Sequence, residues 1–372
     1  MSHPATAATR PPAIRQVSTS GDPRALGHSH GEQAAETIAE GLDQWRAAIA
    51  ADDRDPDQLI TDLSQRAGFW AAVEQHLPWL AAEVEGIAAG AGQDLGPVFA
   101  TNCLDEAWWW GAHGSGCSVV AVSDADSGPP VAGQTMDLDT WMDGTQVALR
   151  LAPADGPRQV LLSRAGMVGL CGANDTGLVV LVNTLEELPV DPDGVPVAFV
   201  VRALLAEQTL DDAVAVLHRL PHASGQSYTL TSRDGVRGFE CGAGVVVEYT
   251  NDPERPARRW HTNHPLAYRG PVDDAETDPI DWATTSSRPR LAHLTETLEA
   301  NDDVGVADLE SLFSDTDSGI CMFPGRWRPD GFTFGSVIAE LGEQVRVRMA
   351  GGPPDRSPYV DVDFVGNEKT AT

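Results

Sequence analysis

Ser115-Gly116-Cys117-Ser118-Val119-Val120-Ala121-Val122, then a turn cluster, then Val131-Ala132-Gly133-Gln134-Thr135-Met136-Asp137-Leu138-Asp139: these residues read as the two strands of one hairpin. The lead-in Gly114-Ser115-Gly116 sets a cysteine at the first position of a strand, where glycine lets the backbone take strained geometry. Taken alone, a cysteine there is usually a small buried hydrophobe, and an aspartate at a strand end is usually a turn former. The hairpin changes the weighing, because it brings Asp137 close to Cys117.

Outward from the hairpin the texture stays strand-like. Apolar runs such as TQVALRL (145–151), RQVLLS (158–163) and GLVVLVNTL (177–185) alternate with turn clusters, so a sheet-rich segment begins at Cys117. Two helices are expected over 197–207 and 210–218, the second capped by Thr209, and strands return over 227–233, 236–241 and 244–250. Residues 280–314 read as helical, and the chain closes on two more strand-like runs and an extended tail.

Upstream, apolar residues recur at helical spacing from Gly31 to Ala51 and again from Phe69 to Ile87, with Gly90-Ala91-Gly92 as a helix stop. Residues 1–20 carry no periodicity and are expected to be a flexible leader. Residues 21–116 then form a helical segment and 117–372 a sheet-and-helix segment, together one domain. Strands, paired helices, strands, helices and strands in that order predict antiparallel sheets covered by helices, an α+β architecture.

Composition bounds the function. The chain of 372 residues has 55 acidic and 25 basic residues, a net charge of −30 that opposes nucleic acid and anionic membrane surfaces. No segment has the length of a membrane span or an apolar signal region, so a cytoplasmic location is expected. The five cysteines include no CxxC pair, which argues against disulfide and zinc frameworks; Cys103, Cys171, Cys241 and Cys321 read as buried apolar residues. The pairs His28/His30 and His261/His264 lack metal-binding spacing, and no phosphate-binding glycine motif opens a helix, so no metal and no cofactor are expected.

The ordered set of short motifs resembles the acyl-coenzyme A:6-aminopenicillanic acid acyltransferase family of N-terminal nucleophile hydrolases. Gly27-His28-Ser29-His30-Gly31 is similar to its Gly-x-x-His-Gly element, and Gly86-Ile87-Ala88-Ala89-Gly90-Ala91-Gly92 to its Gly-Ile-Ala-x-Gly-Ala-Gly helix end. Ser115-Gly116-Cys117-Ser118 resembles its processing site, Gly133 to Asp137 its Gly-Gln-Asn-Trp-Asp strand, and Thr262-Asn263-His264 its Asn-His strand end. Gly172 to Leu178 and the Gly352-Pro353-Pro354 and Ser357-Pro358-Tyr359 elements complete the series. Thr135-Met136 replaces the family's Asn-Trp, and Met322 stands where relatives often have arginine.

The resemblance implies a four-layer αββα fold and a precursor that cuts its own Gly116–Cys117 bond, leaving two fragments as an αβ heterodimer. It makes Cys117 the nucleophile, the freed α-amine its base, Asp137 the group that orients that amine, and Asn263 an oxyanion donor. A terminal amine titrating near 8 beside a thiol near 8.5 needs no histidine as base. The implied activity is amide hydrolysis or N-acyl transfer through a Cys117 thioester, on a small-molecule or short-peptide amide, with a coenzyme A thioester as an optional acyl donor. Trp108, Trp109, Asn183 and Ser318 are the candidate substrate-binding residues. Two rivals stand beside this reading: an uncut hydrolase using His113 or His264 as base, and an inactive binding protein of the same fold. The charge and size are compatible with a monomer or a dimer of such pairs.

Overall fold

The hairpin predicted around Cys117 is present. In a computed structural model, which describes residues 13–107, 116–124, 128–270, 282–325 and 330–366, strand β2 (Gly116–Val122) pairs antiparallel with β3 (Val131–Asp139). Gly116 lies opposite Asp137 and Cys117 opposite Met136. Successive residues of a strand point to opposite faces, and β2 divides accordingly. Cys117, Val119 and Ala121 join the main core, while Val120 and Val122 pack with Trp260, Leu294, Leu298 and Phe313 in a second cluster.

Around this hairpin the strands form two sheets. Four of the strands are β1 (Arg15–Gly21), β4 (Gln146–Pro153), β5 (Gln159–Arg164) and β6 (Cys171–Asn174). The next four are β7 (Val179–Thr184), β8 (Gln226–Ser232), β9 (Gly235–Gly242) and β10 (Val245–Tyr249), and all eight are hydrogen-bonded in the order β1-β4-β5-β6-β7-β8-β9-β10. The other sheet runs β11-β2-β3-β12-β13-β14, with β11 at Arg258–His261, β12 at Gly331–Leu341, β13 at Val345–Ala350 and β14 at Val360–Asp361. The sheets face each other through β2 on β7 and β12 on β6.

Helices cover both outer faces. Helix α1 (Pro23–Ala51) lies on β1 and β4, followed by α2 (Pro56–Thr61), α3 (Phe69–His76), α4 (Pro78–Ala91), α5 (Leu95–Thr101) and α6 (Leu104–Ala107). Helices α7 (Val197–Leu205) and α8 (Leu210–Arg219) lie on β6, β7 and β8. On the smaller sheet, α9 (Trp282–Ala300) packs on β2 and β11, and α10 (Val306–Phe313) on β12 and β3. The layers are those expected: helices, sheet, sheet, helices.

Two readings are corrected. The flexible leader expected over residues 1–20 does not hold for its last part, because Arg15–Gly21 form β1, seated parallel along β4 with Val17 fully buried; residues 1–12 lie outside the described residues. Its sequence, RQVSTSG, has a single aliphatic residue, and its partner lies far along the chain, so local pattern carries no signal. The helix expected from Phe69 to Ile87 is two helices, parted at Leu77 because Pro78 opens α4 and lacks the N–H that would continue α3.

Four of the five glycines of the two early motifs have one shared cause. A Cβ on Gly27 or Gly31 of α1 would collide with the α4 backbone at Glu83 and Ile87, and one on Gly86 or Gly90 with the α1 backbone at Arg24 and His28. The helices therefore touch backbone to backbone, and His30, buried between them and the sheet, accepts the Gly166 N–H at 3.2 Å. Gly86→Ala is expected to cost about 1–3 kcal/mol by overpacking. Thermal denaturation checks this, and an unchanged Tm would contradict it.

Candidate active site

Cys117 is 3% exposed, and side chains from several elements converge on its backbone. Its N–H donates to Asn263 Oδ1 at 2.8 Å. Its carbonyl accepts Asn183 Nδ2 at 3.1 Å and Arg290 Nη1 at 2.6 Å. Arg290, fully buried on α9, also donates to Ser118 Oγ at 3.0 Å and through Nη2 to Asn263 Oδ1 at 3.0 Å. The Asp137 carboxylate, which accepts Thr333 Oγ1 at 2.6 Å, stands against Gly116: a Cβ there would lie 3.0 Å from Asp137 Oδ2.

Register explains this placement. Asp137 shares the helix-covered face with Gly116, whereas the Cys117 side chain belongs to the face between the sheets. The carboxylate is thus next to the peptide bond that would be cut, and the thiol is on the other side of the strand. Gly116 is required for space rather than for strained torsions, since its φ is not positive.

Asn263 lies beyond the end of β11, in a loop held at two points. Its N–H donates to Ser287 Oγ on α9 at 2.7 Å, and its Nδ2 donates to Thr184 O at 3.2 Å. Below it, the buried Glu240 of β9 meets His261 Nε2 at 3.1 Å and accepts the N–H groups of Leu266, Ala267 and Tyr268. Burial alone would raise the Glu240 carboxyl, but His261 and those N–H groups outweigh it and hold it below its ordinary range.

The electrostatics keep the thiol neutral. Burial pushes Cys117 far above the ordinary thiol range, and the Asp137 charge adds to the shift. Burial lowers Arg290, and Asp137 and Cys117 act against that lowering. On α6, Asp105 is raised to about 6 and Glu106 to about 8, in both cases by burial first. His264 is lowered to about 4 by burial, and its Nδ1 lies 2.6 Å from Ser287 Oγ. It faces a groove along α9 with Arg288, Leu291 and Thr295, and among the described residues no hydrogen bond joins it to Cys117.

Of the sequence-derived candidates, Gly116, Cys117, Asp137, Asn183 and Asn263 come together. Ser318 closes a turn, its Oγ donating to Asp315 O at 3.3 Å, and among the described residues no hydrogen bond joins it to Cys117. Trp108, Trp109 and His113 lie outside the described residues. Other indoles do line a cleft of about 270 Å³: Trp45 and Trp141 enclose it with Ile49, Leu104, Met142 and Asp139, at the end of the strand that carries Asp137. The residues that sequence reasoning missed are Arg290 and Asp105. Arg290 continues the buried stripe Ser287-Arg290-Leu294-Leu298 of α9, and a charge in register with apolar positions is the signal that could have found it.

A model of the acyl-coenzyme A:6-aminopenicillanic acid acyl-transferase family matches residues 129–327, more than half of the chain. The chain belongs to this family. The acyl-transferase match takes in Asp137, Asn183, Asn263 and Arg290 and begins after Cys117. The 40 kDa form of acyl-coenzyme A:6-aminopenicillanic-acid-acyltransferase from Emericella nidulans is 23% identical over 344 residues, 90% of this chain and 92% of that protein. Among solved structures, penicillin V acylase from Agrobacterium tumefaciens has a TM-score of 0.42 and 13% identity over 66% of this chain and 86% of its own. A mutant of conjugated bile acid hydrolase from Clostridium perfringens has a TM-score of 0.44 and 12% identity, over 68% of this chain and 95% of its own.

Proposed function

We propose that this member of the acyl-transferase family is a self-processing cysteine amidohydrolase or N-acyltransferase. The observation that carries the reading is the convergence of Asn263, Asn183 and Arg290 on the Cys117 backbone, with Asp137 against Gly116. A structural cysteine needs none of these partners, whereas a residue about to become a chain terminus needs its nitrogen and carbonyl held in place.

In the proposed cycle, Cys117 Sγ attacks the Gly116 carbonyl, the acyl group shifts from nitrogen to sulfur, and water releases the 1–116 fragment and frees the α-amine. That amine then takes the thiol proton as Sγ attacks a substrate amide carbonyl. Nδ2 of Asn263 uses one hydrogen on Thr184 O and has a second for the oxyanion, a donor of the kind worth about 3 kcal/mol. Asp137 orients the amine from the helix side. The leaving amine takes the proton, and the thioester passes its acyl group to water or to an acceptor amine. A ring-bearing group fits the tryptophan-walled cleft. The net charge of −30 favours a neutral or cationic amide over a polyanionic coenzyme A thioester as donor. Five free, buried thiols suit the reducing cytoplasm.

Intact-mass measurement tests the reading without a known substrate. The parent is expected to yield fragments 1–116 and 117–372, and Cys117→Ala one uncut chain. A parent that also stays uncut removes the α-amine from the mechanism and overturns the proposal.

A further inference from the structure

A hydrogen-bonded chain runs from the N-terminal side of the scissile bond to the nitrogen of Cys117. Asp105 Oδ2 accepts Thr184 Oγ1 at 3.0 Å. Thr184 O accepts Asn263 Nδ2 at 3.2 Å, and Asn263 Oδ1 accepts the Cys117 N–H at 2.8 Å. Thr184 is the last residue of β7, directly after Asn183, so one strand end carries both the Cys117 carbonyl donor and the link to Asp105.

We infer that Asp105 is a positioning residue of the mature site: acting through Thr184, it holds the Asn263 amide in the orientation that serves the Cys117 nitrogen, so the N-terminal fragment stays a working part of the enzyme after cleavage. This rests on the reading of Cys117 as an N-terminal nucleophile. Asp105 makes no hydrogen bond to the thiol; its hydrogen-bonded link to the site runs through Thr184.

The carboxylate is itself braced. Gln226 Nε2 donates to Asp105 Oδ2 at 3.0 Å and reaches Ser224 Oγ at 3.2 Å, and Ser224 Oγ donates to Glu106 Oε1 at 2.7 Å. Glu106 also accepts the N–H of Val197 at the start of α7, at 3.0 Å. A helix of four residues, α6, is therefore pinned to β7, β8 and α7 by two adjacent acids, directly before the segment that leads to Gly116. Four residues cannot sustain a helix of their own, so the side chains fix its place. Without the Asp105 bond the end of β7 is no longer tied at Thr184, whose carbonyl anchors Asn263 Nδ2, and misplacement of about 1 Å at a reacting group costs up to roughly a hundredfold in rate.

The test compares the parent with Asp105→Ala, Asp105→Asn, Thr184→Val and the Asp105→Ala/Thr184→Val double variant. It reads self-cleavage by intact mass, turnover of p-nitrophenyl acetate above a Cys117→Ala background, and Tm. Asp105→Ala and Thr184→Val are each expected to lower kcat roughly ten- to a hundredfold with KM unchanged. The double variant should lose no more than either single one, as two links of one chain must. Asp105→Asn, whose carbonyl oxygen can take both hydrogen bonds, should restore kcat to within about threefold of the parent. Parent-like kcat in the alanine variant, or losses that multiply in the double, would overturn the inference while leaving the nucleophile reading intact. If Asp105→Ala does not fold, Thr184→Val decides: parent-like kcat there overturns the inference. A parent that neither cleaves nor turns over the ester overturns both.

Discussion

Replacing Arg290 by methionine is expected to slow self-cleavage by roughly a hundred- to a thousandfold. Methionine has a similar reach and no donors. The Cys117 carbonyl would keep Asn183 but lose its 2.6 Å bond to Nη1, and Asn263 Oδ1 would lose the second donor that fixes which way its amide points. Asp137 would also lose a buried cation that its charge faces. Arg290→Lys keeps the charge but not the fork of donors that reaches carbonyl, hydroxyl and amide at once, so it should recover only part of the rate. A time course of intact mass reads the effect, with Tm to verify folding. Cleavage of the methionine variant at the parent rate would remove Arg290 from the site.

The largest loss of stability is expected from Glu83→Ala. Glu83 on α4 and Arg202 on α7 form a bidentate pair at 2.6 and 2.9 Å, with side chains 2% and 0% exposed. Arg202 also donates to Gln159 Oε1 and Val168 O, so it belongs to a satisfied network. Removing the carboxylate alone strands a cation in the core, at a cost of about 3–5 kcal/mol. The double change Glu83→Leu/Arg202→Met removes both charges and should regain most of that loss. Urea unfolding midpoints of the single and double variants check the pair. A single variant as stable as the parent would sink the argument. The pair joins the segments on either side of the proposed cut, so Glu83→Ala should also let the two fragments separate more readily, read by size-exclusion chromatography after cleavage.

Much of the site was legible because its parts are local. The β2–β3 hairpin follows from two short apolar runs around a turn cluster, and its register alone sets Asp137 against Gly116. The early motif glycines could be seen as a pattern, but only packing shows the common cause of four of them, the backbone contact of α1 with α4. Strand β1 was hidden by its composition, since its stability comes from parallel pairing with β4 rather than from its own residues. Ser318 hydrogen-bonds within its own turn at Asp315, a local contact that a motif does not disclose.

Neighbouring residues were enough for the layered α+β class, the nucleophile candidate and the order of the site segments, because periodicity, turn chemistry and short motifs are local properties. Long-range packing was needed to show which face of the strand each group occupies at the site, and that Arg290, Thr184 and Asp105 belong with them. Thr184 and Asp105 carry no local signature of function, and Arg290 only that of a charge in the apolar stripe of α9. They meet Cys117 and Asn263 only because α9, β7 and α6 are folded against the same end of one hairpin, where a buried donor or carboxylate must find its partner from another element.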